Sequence, residues 1–107
     1  MQKNSNNSID IDKVLREGKS FDVTDDILIR QIENEAILLH TSTGTYYNLS
    51  ETSIQFWEAL QNKQPLEPVV KQITDEYEVE YSQVIEDLRV FLQDLQKFGI
   101  VRKSSEN

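Results

Sequence analysis

The sequence predicts an α+β domain in which a short antiparallel sheet precedes a set of helices. From residue 27 to residue 49, apolar side chains occur in short runs rich in β-branched and aromatic residues. After Ser50 the spacing of apolar residues changes to the helical period of about 3.6. Runs of strands followed by runs of helices are typical of α+β domains and not of doubly wound parallel sheets.

Three strands are predicted in the first region, over Ile27–Ile32, Ala36–His40 and Thr45–Leu49. Glu33-Asn34-Glu35 forms a tight turn between the first two strands, and Thr41-Ser42-Thr43-Gly44 forms one between the second and the third. Connections this short join only antiparallel neighbours. The predicted sheet is therefore a three-stranded antiparallel meander.

The second region predicts three helices. Ser50 is a good N-cap for the first helix, and Pro65 separates it from the second. Gly99 is placed to end the third and longest helix, after which Ile100-Val101 is expected to dock back as a short strand. The predicted helices cover Glu51–Gln61, 66–77 and 82–98.

The chain of 107 residues is long enough for one domain and too short for two. Residues 1–24 are mostly polar and include an Asn/Ser-rich stretch, so we expect a flexible N-terminal arm. The alternative is a short amphipathic turn of Ile9, Ile11, Val14 and Leu15, without a convincing cap, that orders on a partner. We expect the folded domain over residues 25–102 and a disordered tail over residues 103–107.

The charge and composition disfavour several classes of partner. Eleven Lys and Arg residues stand against 19 Asp and Glu residues, so the net charge is −8. A negative surface repels nucleic acids and anionic membranes. The absence of cysteine excludes disulfides, thiolate metal sites and iron–sulfur clusters in this chain. Neither a signal-peptide pattern nor a run of transmembrane length occurs, so we expect a cytoplasmic protein.

The residues needed for catalysis are sparse. His40 is the one histidine, and a lone strand histidine is more often a surface or partly buried side chain than a metal ligand. Adjacent carboxylates occur at Asp25-Asp26, Asp75-Glu76 and Glu86-Asp87, and a solvated face is the ordinary role of such pairs. The Glu86-Asp87 side chains point about 100° apart on a helix, so this pair does not converge on a substrate. Three glycines leave no glycine-rich phosphate loop. We therefore expect no catalytic residue, no bound metal and no cofactor.

Binding by strand addition is the chemistry that the pattern favours. A meander has two edges, and an exposed edge is a template for an added strand. The third strand carries Tyr46, Tyr47 and Leu49, so it offers large side chains on both faces. The third helix has a wide apolar stripe, with Arg89 at its rim. Full burial of these side chains and an open groove between this strand and this helix both remain possible at this point.

Several stretches together resemble the PqqD family. They are Asn34-Glu35-Ala36-Ile37-Leu38-Leu39, Thr43-Gly44-Thr45-Tyr46-Tyr47-Asn48-Leu49-Ser50, Phe56-Trp57-Glu58-Ala59-Leu60, Tyr77-Glu78-Val79 and the closing Gly99-Ile100-Val101. Val69-Val70 and Ile73 in one helix, and Leu88, Phe91-Leu92 and Leu95 in the next, complete the pattern. The resemblance extends over about residues 25–102, and it is specific as a set more than through any single element.

The resemblance implies a winged helix-turn-helix fold that works as a peptide chaperone, or recognition element, for ribosomally made and modified peptides. It implies that the precursor's leader peptide is held beside the third strand and against the third helix, for a separate modifying enzyme. In this family that partner is often a radical S-adenosylmethionine enzyme, and sometimes a leader peptidase or another modifying enzyme. Any cluster chemistry must then belong to that enzyme. By position, the implied peptide-binding residues are Thr45, Tyr46, Tyr47, Asn48, Leu49, Ile85, Leu88, Arg89 and Leu92.

Two other functions remain open. A winged helix-turn-helix fold is common among DNA-binding proteins, but such proteins place cations along the recognition helix. Here Arg89 and Lys97 share the third helix with Glu86, Asp87 and Asp94, which is unfavourable for phosphate contacts. The second alternative is a structural subunit of an enzyme complex that binds no peptide.

Overall fold

The computed structural model describes residues 9–18 and 21–104, and it confirms the α+β class. Each predicted strand and helix is present, and the bounds of the three meander strands and the three helices differ from the predicted ones by one residue at most. The last strand covers Val101–Lys103 and not residues 100–101. The elements are α1 (Ile11–Arg16), β1 (Phe21–Val23), β2 (Ile27–Ile32), β3 (Glu35–His40), β4 (Thr45–Leu49), α2 (Glu51–Gln61), α3 (Glu67–Tyr77), α4 (Tyr81–Lys97) and β5 (Val101–Lys103).

The predicted meander forms an antiparallel sheet in the order β2-β3-β4. Its inner face packs on the helices, because Ala36, Leu38, His40 and Leu49 alternate inward and are buried. Leu38 is the centre of this face, paired with Ile29 on β2 and with Tyr47 on β4. The side chains that alternate outward are covered by no helix of the described chain.

The helices begin and end at residues whose chemistry explains the bounds. The hydroxyl of Ser50 accepts from the backbone N–H of Ser53 and the Ser53 hydroxyl accepts in return from Ser50, which is a capping box at the start of α2. Glu78 ends α3 in the left-handed region, with φ at 53°. Gly99 follows α4 with φ at 75°, a conformation that glycine adopts without strain.

The segment before residue 25 differs from the flexible arm that we expected. Val14 and Leu15 of α1 are buried in the same core as Ile9 and Phe21. β1 also pairs with β5 in a second, two-stranded antiparallel sheet, in which Phe21 lies opposite Lys103. The described part of the expected arm, and Lys103 of the expected tail, therefore belong to the packed domain. Residues 1–8, 19–20 and 105–107 lie outside the described residues.

Close packing holds this N-terminal segment on the α2–α3 connection. Lys63 donates to the carbonyl of Phe21 and forms an ion pair with Asp22, both at 2.8 Å. The backbone N–H of Leu66 bonds to the carbonyl of Val14. Gly18 packs directly on the backbone of Lys63, where a Cβ atom would overlap the carbonyl. Polar composition suggested a free arm, but a few apolar residues at the right spacing are enough to dock it.

A membrane-crossing helix is not found among the helices that the structure describes, since none of them is both long and apolar enough.

Candidate functional site

The outer edge of β4 presents backbone groups that the other strands of the described sheet do not pair. β4 bonds to β3 on one side and is the last strand on the other. The backbone N–H of Thr41 donates to the carbonyl of Asp26 at 2.8 Å, so Thr41 directs its backbone toward β2. Backbone direction alternates from residue to residue in antiparallel strands, and the β3–β4 register is unbroken. Tyr46 and Asn48 therefore direct their N–H and C=O groups outward, away from β3.

Tyr47 connects this edge to α4. Its ring centroid lies 6.0 Å from that of Phe91 and 5.8 Å from that of Phe98. Its hydroxyl donates to a carboxylate oxygen of Asp94 at 2.9 Å. These three partners belong to one flank of α4 and to the residue that caps it, so the open edge of β4 runs alongside α4.

We expect Tyr47 to ionise at an unusually high pH. Burial, then the hydrogen bond to Asp94 and the charge of Asp94, raise the pKa of Tyr47 from its ordinary 10.0 to about 12. Because the phenol regains its ordinary pKa on unfolding, this contribution to the free energy of unfolding is complete below pH 10 and is lost as the pH rises through about 12. The measurement is a tyrosinate absorbance titration of the wild-type protein and of Tyr47→Phe, whose difference isolates Tyr47.

The control for this titration is Asp94→Asn, which removes the charge and should lower the pKa of Tyr47 while burial still holds it above the ordinary value. A Tyr47 transition at the ordinary phenol value in the wild-type protein would contradict the contacts described above.

The flank of α4 that contacts Tyr47 continues toward the N-terminus of the helix. Val90 precedes Asp94 by four residues and Asp87 precedes Phe91 by four, so both extend this flank. Val90 is 46% exposed although it is apolar. Asp87 is exposed and accepts from the amide of Gln83 at 2.9 Å. We call the open edge of β4 and this flank the β4–α4 groove, which consists of Tyr46, Tyr47, Asn48, Asp87, Val90, Phe91 and Asp94.

The strand residues predicted to bind the peptide divide into two groups. Tyr46 and Asn48 lie exposed at the edge, and Tyr47 forms the inner wall of the groove. Leu49 is 1% exposed and belongs to the core, and Thr45 bonds to Thr43 within the β3–β4 turn at 3.0 Å. By the alternation described above, both of these residues direct their backbone groups toward β3. The structure therefore places Tyr46, Tyr47 and Asn48 in the groove, but not Thr45 and Leu49.

None of the four predicted helix residues lines the groove. Leu88 and Leu92 are completely buried in the core. Ile85 and Arg89 lie about 120° and about 160° around α4 from Phe91, which places them on the opposite flank. Arg89 instead pairs with Glu86 at 3.4 Å. The apolar stripe of α4 does not by itself show which of its two borders lies next to β4.

Sequence reasoning missed Asp87, Val90, Phe91 and Asp94 as groove residues. Val90 carried a usable signal, because it is a large apolar residue that stands outside the apolar stripe of its helix. Asp94 carried none, since its role depends on the position of the Tyr47 hydroxyl across the groove. That position follows from tertiary packing.

His40 has a structural role at the end of the groove. It is 6% exposed, and its Nδ1 lies 3.1 Å from the carbonyl of Phe98 while its Nε2 lies 3.2 Å from the hydroxyl of Ser42. The side chain thus joins the β3–β4 turn to the end of α4. Over residues 9–18 and 21–104, no group of three or more His, Asp or Glu residues is arranged to hold a metal ion.

Comparisons with known proteins agree with this architecture. The sequence profile described as "Coenzyme PQQ synthesis protein D (PqqD)" matches residues 35–101. The solved structure described as "TbiB1 in Complex with the TbiA(beta) Leader Peptide" is similar, with a TM-score of 0.67 and 31% sequence identity, over 78% of this chain and 98% of that one. The structure described as "Lasso peptide synthetase B1 complexed with the leader peptide" has a TM-score of 0.64 and 25% identity, with the same coverage of both chains.

No protein with a curated description matches the sequence. The profile match includes both β4 and α4, and thus every residue of the groove, and it extends over more than half of the chain. The protein is therefore a member of the PqqD family.

Proposed function

We propose that this protein binds the leader region of a ribosomally made precursor peptide and presents it to a separate modifying enzyme. The observation that carries the proposal is the open edge of β4, where Tyr46 and Asn48 direct backbone donors and acceptors toward solvent beside the flank of α4 that exposes Val90 between Asp87 and Asp94. An extended peptide pairs with such an edge through its main chain, and pockets for alternate side chains provide specificity. The similarity to two proteins solved with leader peptides supports this choice of ligand.

The free energy available to such a complex is moderate. Each main-chain hydrogen bond contributes about 0.5–1.5 kcal/mol net. An apolar side chain of the peptide buried against Tyr47 and Val90 adds about 1.5–3 kcal/mol. Ordering a disordered leader opposes both terms, so we expect dissociation constants from high nanomolar to tens of micromolar. Weak binding suffices, because a held leader raises the effective concentration of the attached core peptide at the enzyme.

In this proposal the chemistry belongs to the partner enzyme. The resemblance to the PqqD family predicts a radical S-adenosylmethionine enzyme, whereas the similarity to lasso peptide synthetase B1 makes an enzyme of lasso peptide synthesis a second candidate. A chain without cysteine leaves any iron–sulfur cluster to that partner. A cytoplasmic location, where precursor peptides are translated, stays a prediction.

The test is a backbone-amide NMR titration of the protein with the leader peptide encoded nearest to it. We expect saturable shifts at Tyr46–Asn48 and along Asp87–Asp94. Shifts confined to Ile85 and Arg89 would place the peptide on the other flank of α4. A titration without shifts at millimolar peptide would overturn the proposal.

Two neighbouring substitutions test which flank of α4 contacts the peptide. Val90→Ser removes an exposed apolar contact from the groove, and we expect it to weaken leader binding about 5- to 30-fold, which corresponds to roughly 1–2 kcal/mol. Arg89→Ala, one residue away but about 100° around the helix, is the matched control and should leave affinity unchanged. Isothermal titration calorimetry measures both. Equal affinities in both variants, or a loss in Arg89→Ala alone, would contradict the assignment of the groove wall.

A further inference from the structure

No element of the described residues covers the outer face of the β2-β3-β4 sheet, which carries several apolar side chains together with Arg30, Glu35 and Asn48. On this face Leu28 lies opposite Leu39, and Leu39 lies opposite Tyr46, so apolar side chains cross all three strands. Leu28 is 61% exposed, Ile32 58%, Ile37 37% and Tyr46 68%. We call Leu28, Ile32, Ile37, Leu39 and Tyr46 the outer apolar face. The β4–α4 groove uses the inner side of the sheet and its edge, so this face shares only Tyr46 with it.

Exposure of this kind is unusual for a sheet that ends in open strands. β2 is an edge strand, and every residue from Leu28 to Ile32 is exposed. Ile29, on the inner side of the same strand, is also 44% exposed. Soluble proteins ordinarily blunt such edges with charges, prolines or bulges, and an apolar patch of several hundred Å² that remains open marks an interaction site.

Charged residues at the ends of the face favour one kind of occupant. Asp25 and Asp26 precede β2, and Glu33 and Glu35 stand at the β2–β3 turn. All four are exposed. A second copy of this chain would bring the same carboxylates, and a net charge of −8, against them. Arg30, in the middle of β2, is the one Lys or Arg residue between residues 25 and 50, so acidic residues predominate at the ends of the face. The face therefore fits a protein surface with an apolar centre and a rim of Lys and Arg residues.

The outer apolar face is continuous with the peptide edge. Tyr46 belongs to both, because its side chain lies on the outer face while its backbone groups point out from β4. A depression of about 760 Å³ also joins the two, and it is lined by Asn48 and Ser50 on one side and by Arg30, Ile32 and Ile37 on the other. A strand added to β4 would present alternate side chains on the outer face, beside Tyr46.

We propose that the outer apolar face docks the modifying enzyme and that the enzyme reads this face and the outward side chains of the bound leader together. This inference rests on the proposed function. Because the enzyme contacts this chain and the bound leader on one surface, it binds the leader complex more tightly than the protein without leader. By thermodynamic linkage, the leader then binds the complex of this protein with the enzyme more tightly by the same factor.

The experiment uses the full chain, the leader peptide and the purified peptide-modifying enzyme encoded nearest to the chain. The variants are Leu28→Ser and Ile32→Ser, on the outer apolar face and away from the groove. The matched control is Val79→Ser, a 40% exposed apolar residue at the α3–α4 turn. Leader affinity is measured by calorimetry, and enzyme affinity by biolayer interferometry with and without leader.

We expect wild-type protein to bind the enzyme at least about 5-fold more tightly when leader is present. Leu28→Ser and Ile32→Ser should each weaken enzyme binding about 10-fold and leave leader affinity unchanged. Val79→Ser should change neither enzyme affinity nor leader affinity. Unchanged enzyme affinity in both face variants that still bind leader would overturn this inference and leave the proposed function standing. A wild-type protein that binds no leader would overturn the proposed function itself.

Charge reversal and sedimentation supply independent readouts. Glu33→Lys with Glu35→Lys should weaken enzyme binding and reduce its dependence on salt, because a basic rim on the enzyme would lose its partners. Sedimentation equilibrium of the wild-type protein should show a monomer. A dimer that dissociates in Leu28→Ser would assign the face to a second copy and overturn the inference.

Discussion

Asn48→Pro should abolish leader binding in a domain that stays folded. The N–H of Asn48 points out from the open edge of β4, so proline removes a donor that an added strand needs and places its ring where the peptide backbone would lie. Proline is tolerated in edge strands when its nitrogen faces solvent, so the β3–β4 pairing should survive. We expect affinity to fall by 100-fold or more, since one lost hydrogen bond of about 0.5–1.5 kcal/mol is joined by a steric block along the edge.

Calorimetric titration with the leader measures this loss, and a thermal unfolding curve verifies that the variant is folded. Asn48→Ala is the control, because it removes the exposed side chain but keeps the backbone N–H. It should bind within about threefold of the wild-type protein. Normal affinity in a folded Asn48→Pro variant would show that the peptide does not pair with β4.

Leu88→Ala should destabilise the domain by about 2–5 kcal/mol while leaving the affinity of the folded fraction unchanged. Leu88 is completely buried in the core, and truncation leaves a cavity that the surrounding side chains fill only in part. Domains of this size are stable by about 5–15 kcal/mol, so the substitution removes a large share of the total. Its position in the core, and not in the groove, separates the effect on folding from the effect on binding.

Denaturant unfolding followed by the fluorescence of Trp57, which is 1% exposed, measures the change. Val90→Ala on the same helix is the control, and it should change the free energy of unfolding by about 0.5 kcal/mol or less because Val90 is half exposed. A Leu88→Ala variant with wild-type stability and weakened leader binding would show that Leu88 contacts the peptide after all.

The fold was largely predictable because each element carries a local signal. Alternating apolar residues, short turns and a serine cap predicted β2 to β4 and α2 to within a residue. The N-terminal segment was missed because its few apolar residues stand among polar ones and their partners are distant in the sequence. α1 spans six residues and β1 spans three. Leu66 bonds to α1, and β5 pairs with β1.

The strand side of the groove was predictable from local sequence, whereas the helix side depends on tertiary packing. Strand alternation identifies Tyr46 and Asn48 as candidates for the edge as soon as β4 is taken to be the outer strand. The helix residues depend on the rotation of α4 about its axis, and a wide apolar stripe leaves that angle open. The contact of Tyr47 with Asp94 fixes it, which turns Val90 toward β4 and Arg89 away.

The pairing of β1 with β5 brings residue 21 and residue 103 side by side. A domain whose entry and exit strands lie next to each other can be spliced into a surface loop of a larger polypeptide without stretching the host, since the two junctions need to be only one strand spacing apart, about 4.8 Å. The whole groove lies between these two residues. Because Val14 and Leu15 of α1 pack in the same core, a design that inserts the domain into a host must also keep α1 before the first junction.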